Sequence, residues 1–386
     1  MARTTRTETT ANGRDSSKES AAGVAADPLK QALEWDYGTA YEAIYSLHTI
    51  LRPKEHGVPA PWAAGVRKRL SGPAQADLKA LFSPPFGYLA YSPLHLVLEM
   101  DQPKTVERFL DRVQAIPDDE FTQRAHLPLV GNDNLERLIN KGVNRKPVSD
   151  TDVEEYRHLI VQGGRVPPTA AEVRRFFSDV ADPANTKKRW LALLREYQAV
   201  FFSEEEKRAR PVLEKMLEQG QKLSRSMSVP DLIEKLSNGV TISPELDLKR
   251  LVLVPSIWLH PFSMRFEPAD RELFFTWGAH PPGYRLVPGE SVPDDALLVL
   301  RALGDPTRLR LLRLLATEPR SPQSLAIELK LSLPTVSHHI RELRVAGLIR
   351  LEIAGKGRES RYTVRWPSAE RAFKQLEEFV TAGREE

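Results

Sequence analysis

The chain has 386 residues, 41% of them hydrophobic and 28% charged, with a formal net charge of +3 and no cysteine. Its length points to about two domains, and no run approaches the ~20 apolar residues of a membrane-spanning helix, so a cytoplasmic protein is expected. Without thiols, disulfide switching, iron–sulfur clusters and thiolate metal sensing are excluded.

Residues 1–27 are Thr, Ser, Ala, Gly and charged residues without apolar periodicity, the composition of a disordered tail. They hold no apolar h-region, which argues against a secretory signal. A larger unit, 28–290, follows. Tyr41, Ile44, Tyr45, His48 and Leu51 recur at helical spacing and predict a helix that begins near Gly38. Further helices are expected at 170–180, 186–202 and 204–224. Strand formers take over in 251–262, and with 272–277 and 284–287 they predict a small antiparallel sheet. Pro281, Pro282, Pro288 and Pro293 mark a linker. Trp35, Trp62, Trp190, Trp258 and Trp277 all fall in this unit. They either build its core or line an apolar pocket for a small-molecule effector between the helices and the sheet.

No catalytic signature stands out. There is no G-x-S-x-G elbow, no H-E-x-x-H, no phosphate-cradling G-x-x-x-x-G-K-[ST], and no G-x-G-x-x-G after a strand. An enzyme is therefore not expected. The nine histidines are scattered, and the adjacent pair His338 and His339 would point about 100° apart on a helix. No metal and no cofactor are expected.

The last unit, 294–382, is punctuated by helix signals. Asp305 before Pro306 and Ser321 before Pro322 are each a cap followed by proline at the first helical position. Ser332 caps a third segment, in which Val336, Ile340 and Leu343 form one apolar stripe. The opposite side carries Pro334, His338 and Arg341, flanked by Thr335 and Ser337. Helix, short helix, turn and helix make a helix-turn-helix. Gly347 then stops the helix, and Ile349, Leu351 and Ile353 alternate with polar residues as in a half-buried strand. Residues 354–358 form a turn with Lys356 and Arg358 at its tip, and a return strand carries Arg361. Between Arg301 and Arg365 thirteen Lys/Arg stand against six Asp/Glu, an excess of seven, which leaves the rest of the chain at −4. That concentration suits a phosphate backbone.

Two runs in this unit, Ala-Leu-Gly-Asp-Pro-Thr-Arg-Leu-Arg-Leu-Leu (302–312) and Thr-Val-Ser-His-His-Ile-x-x-Leu (335–343), carry a resemblance. With them, residues 294–366 resemble the winged helix-turn-helix of the ArsR family of bacterial transcription regulators. The resemblance implies a homodimeric repressor that reads a palindromic operator in double-stranded DNA. It places the DNA contacts on Thr335, Ser337, His338 and Arg341 of the helix, and on Lys356, Arg358 and Arg361 of the wing. Two departures qualify the base contacts: Leu333 and Pro334 stand where many relatives are polar, and His338 where an arginine is frequent. The resemblance also implies dimerisation through terminal helices, here through Leu297, Val299, Leu300 and Leu303 with Ala369, Phe373, Leu376 and Val380. A long helical region of uncharacterised function ahead of such a domain is similar to a recurring arrangement.

The expected fold is mainly α with small β elements (α+β), a large, mostly helical N-terminal domain followed by a C-terminal winged helix-turn-helix. The expected function is sequence-specific DNA binding in transcription regulation. Two alternatives stay open: a winged-helix module for protein or RNA contacts, and an enzyme with a basic accessory domain.

Overall fold

The computed structural model describes residues 28–82, 93–126, 133–162, 167–237, 239–281, 284, 286–287, 294–353 and 361–381. The tail 1–27, the linker residues Pro282, Pro288 and Pro293, and the hairpin tip with Lys356 and Arg358 lie outside the described residues. The described chain is mainly helical, with a four-stranded and a three-stranded sheet.

The larger sheet holds β1 (Leu33–Trp35), β3 (Arg250–Ser256), β5 (Glu272–Gly278) and β4 (Ser263–Phe266), in that order. Strands β1, β3 and β5 run parallel, and only β4 is antiparallel to its neighbour. The expectation of an antiparallel sheet is thus corrected. Both central strands are buried at every residue after the first. Continuous apolar runs such as Leu-Val-Leu-Val mark parallel strands covered on both faces, not a half-exposed antiparallel ladder. The segment between Ser256 and Glu272 is long enough for the crossover that parallel pairing needs, and β4 lies within it. Of the strand expected at 284–287, the described residues Tyr284, Leu286 and Val287 lie in no strand. Tyr284 lies under the Arg208 guanidinium at 5.3 Å, and the Leu286 carbonyl accepts from Arg208 Nη2 at 2.9 Å.

Helix α1 (Thr39–Leu51) starts after Gly38, where the apolar stripe predicts it. It is buried along nearly all of its length and is tied to the sheet by polar groups. Tyr45 Oη meets Thr276 Oγ1 at 2.9 Å, and Thr49 Oγ1 donates to the Trp258 carbonyl at 2.7 Å. Glu42 accepts the N–H groups of Ile257 and Trp258 at 2.9 and 3.0 Å. Helices α2 (Asp133–Val143), α3 (Asp150–Gln162) and α4 (Ala170–Ala181) form a lobe with its own core around Leu138, Tyr156, Phe176 and Phe177. Helix α5 (Pro183–Tyr197) passes through one π-helical turn, Gln198–Phe202, into α6 (Ser203–Ser224). Trp190, Trp258 and Trp277 are fully buried. Their role is the core.

The C-terminal unit comprises α7 (Asp294–Leu303), α8 (Pro306–Leu315), α9 (Pro322–Leu329), α10 (Leu333–Val345), the strands β6 (Ile349–Ile353) and β7 (Arg361–Val364), and α11 (Trp366–Thr381). It has a separate core in which Leu311, Leu315, Leu325, Val336, Ile340 and Leu343 meet. Its boundary is nevertheless crossed by β2 (Val240–Ile242), which pairs in parallel with β6. The small sheet therefore has the order β2-β6-β7. An edge strand that would present unpaired backbone groups is covered by the N-terminal unit. Among the described residues no helix is long and apolar enough to cross a membrane.

Candidate nucleic-acid interface

Each of α8, α9 and α10 begins on a side-chain cap. Asp305 accepts the N–H groups of Thr307 and Arg308 at 2.8 and 3.0 Å, Ser321 that of Ser324 at 3.2 Å, and Ser332 that of Thr335 at 3.3 Å. These bonds satisfy donors that a helix start leaves unpaired. The backbone bonds to the Asp305 carboxylate hold its pKa below the usual carboxylate value. The turn between α9 and α10 is closed by Lys330 in the left-handed region at φ 56°, with Leu331 N–H donating to the Ala326 carbonyl at 3.0 Å. A second left-handed residue, Gly347 at φ 66°, ends the recognition helix and turns the chain into β6.

Within α10 the apolar stripe Val336, Ile340 and Leu343 is buried, as its spacing predicts. Thr335, His338 and Arg341 are exposed on the other side, and Ser337 and Pro334 are half-buried between. His339 turns inward. Its Nδ1 lies 4.0 Å from Asp305, and burial lowers its pKa, so it serves packing and not the outward face. In the wing, β6 and β7 pair antiparallel from Ile349↔Val364 to Glu352↔Arg361, and Arg361 is exposed. Arg320 and Tyr362 exchange two backbone bonds of 3.1 and 2.8 Å, which tie β7 to the segment before α9. The predicted contacts of the helix and Arg361 thus lie on described surfaces, whereas Lys356 and Arg358 fall outside them.

One relationship is invisible in the sequence. Arg341 Nη1 lies 3.2 Å from Oε2 of Glu55, in the short 3₁₀ turn Pro53–His56 of the N-terminal unit. Glu55 is also paired with Arg52 at 3.1 Å. Behind that turn sits a group of histidines. His56 Nε2 and His48 Nδ1 are 3.3 Å apart, and His56 Nδ1 lies 3.0 Å from the His260 carbonyl oxygen. The His260 and His280 rings are 4.1 Å apart. Burial pushes the His48 imidazole well below its ordinary pKa and that of His56 down to about 4, with Arg52 and Arg341 adding to both shifts. Among the described residues no set of three or more His, Asp or Glu side chains is arranged to hold a metal ion.

A cavity of about 820 Å³ opens beside β1 and the start of β3, lined by Trp35, Asp36, Met100, Lys104, Arg250 and Glu272 among others. Asp36 and Lys104 form a buried ion pair in it. Its lining mixes charged groups with apolar ones such as Leu96, Leu98 and Val252, and it is not the apolar aromatic pocket expected between the helices and the sheet.

A model of a "Family of unknown function (DUF5937)" matches residues 40–256, more than half of the chain. The chain belongs to that family. DUF5937 thus covers α1 through the end of β3, which includes Glu55 and β2. A model described as "Helix-turn-helix domain" matches residues 303–352, from the end of α7 to within β6. An uncharacterized HTH-type transcriptional regulator of Methanocaldococcus jannaschii is 40% identical over 63 residues, 16% of this chain and 71% of the relative. No solved structure matches. In this DUF5937 member the C-terminal unit is a helix-turn-helix domain, and the chain is a DNA-binding transcription regulator.

Proposed function

We propose that the protein is an ArsR-type repressor that reads a palindromic operator as a homodimer, with the DUF5937 region as its regulatory domain. The observation that carries the reading is the two-sided recognition helix. Its apolar stripe is buried in the winged core, while Thr335, His338 and Arg341 stand exposed together on a helix capped and turned as a groove-reading helix requires. The repressor role follows from the family resemblance, and the matched transcriptional regulator supports regulation of transcription. The dimer draws on the packing of α7 against α11, which leaves Leu300, Trp366 and Phe373 between 44 and 59% exposed. Apolar groups so placed suit a partner helix. No catalytic step enters the reading.

The test is duplex binding by Arg341→Ala. Loss of a base-reading arginine costs about 1–3 kcal/mol and relaxes specificity at the contacted position. Unchanged duplex affinity would favour the second reading, a winged-helix module for protein contacts, to which the Glu55–Arg341 pair within this chain lends support.

A further inference from the structure

One residue on the exposed side of the recognition helix, Arg341, is already engaged by the chain's own N-terminal unit. Arg341 pairs with Glu55, and α3, which belongs to the separate helical lobe, packs against α10. On the other flank of the winged domain, β2 is added to β6, and Glu234 of the helix Val229–Leu236 pairs with Arg350 at 3.2 Å. The winged domain is therefore held from two sides.

The Glu55 contact competes with DNA for Arg341. A guanidinium bound to a carboxylate at 3.2 Å is not available to a phosphate or a guanine edge. The major groove, about 12 Å wide, admits one helix. Entry of α10 into that groove with Arg341 as a contact therefore requires the Glu55 tie to be released. The β2–β6 pairing needs no such conflict, because it occupies the edge of the sheet and leaves the start of β7 exposed.

We propose that the N-terminal unit is an autoinhibitory clasp on the DNA reader. The β2–β6 ladder is its anchor, and the Glu55 turn together with α3 is the part that opens before DNA enters. This rests on the reading of α10 as a DNA-recognition helix. The closed arrangement is lightly held on the opening side, since the Glu55 and Arg341 side chains are 30 and 44% exposed. Exposed pairs contribute little, so a ligand or partner that favours the open arrangement can shift the balance with modest differential affinity.

Full-length wild-type protein and Glu55→Gln are compared in two measurements: affinity for mixed-sequence duplex DNA at one salt concentration, and hydrogen exchange of residues 333–345 without DNA. Glu318→Gln, whose carboxylate pairs with Arg320 and not with Arg341, is the charge-matched control. The clasp predicts faster exchange in Glu55→Gln and duplex binding roughly two- to fivefold tighter than in wild type or control, the effect of losing one exposed ion pair. Exchange and affinity both at the wild-type level would overturn it, as would faster exchange without tighter binding by proteins that do bind DNA. If none of the three proteins binds any duplex, the DNA reading fails. The exchange data then judge the contact alone: faster exchange leaves a clasp on a module that serves another partner, and unchanged exchange removes both.

Discussion

Leu351 of the winged domain donates its backbone N–H to the carbonyl of Gly239 in the N-terminal unit, at 2.8 Å. From there the register runs Val240↔Leu351 to Ile242↔Ile353, and the side chains of Leu351 and Ile353 enter the large N-terminal core. The two parts of the chain thus share a ladder and a stretch of core, and the winged domain is built into the N-terminal body.

Gly239 makes this joint sensitive to a single methyl group. Its φ of 109° lies where L side chains are rare, and a Cβ would stand 3.1 Å from Arg365 Cδ and 3.2 Å from the Ile349 carbonyl oxygen. Gly239→Ala is expected to cost about 1–3 kcal/mol in backbone strain and to loosen β2 from β6. Scanning calorimetry should show a lower Tm with a broadened or split transition. A single transition at the wild-type Tm would mean that β2 is incidental to the assembly.

Glu42 gives a pH signature of the N-terminal core. Burial raises its pKa from 4.5 to about 7. Between those values the folded protein carries the extra proton, so the contribution of Glu42 to stability is full below pH 4.5 and is lost as pH rises through about 7, by about 3 kcal/mol in all. Glu42→Gln keeps an oxygen for the Ile257 and Trp258 N–H groups and never ionises. Its stability relative to wild type should rise between pH 5 and 8 in denaturant titrations; parallel curves for the two proteins would refute the assignment.

The histidines behind the Glu55 turn act with the opposite sign. His56 titrates near 4 in the fold against 6.5 for the ordinary imidazole, because burial disfavours its charged form. The unfolded chain binds more protons between those values, so stability present above pH 6.5 is lost as pH falls toward 4. His56→Asn retains a donor for the His260 carbonyl and removes the titration. It should be less sensitive to acid than wild type over that window, whatever its stability at pH 7. Equal acid sensitivity would show that the His56 proton is not what weakens the fold.

What could be read from the sequence was what short-range chemistry encodes. The caps at Asp305, Ser321 and Ser332, the Gly347 stop and the 3.6-residue stripes fix the reader helix by helix, and the structure has them at those residues. The stripe from Tyr41 to Leu51 did the same for α1. Long-range pairing was not legible. Strands β1 and β2 have three residues each, too few for a periodicity, and each exists only through a partner strand far along the chain. Parallel order in the large sheet could have been suspected from the unbroken apolar runs of β3 and β5, which an alternating antiparallel strand would not show. Glu55 and Arg341, 286 positions apart, carry no mutual signal in one sequence. The histidines behind them looked scattered for the same reason.

The most direct test of the account is selection of binding sites from a random duplex pool by the full-length protein, run in parallel with Glu55→Gln. The account predicts enrichment of one inverted repeat, with half-site centres roughly one helical turn apart (~34–36 Å), recovered more strongly by the variant. Recovery of no preferred sequence by either protein, at low as at physiological salt, would contradict it.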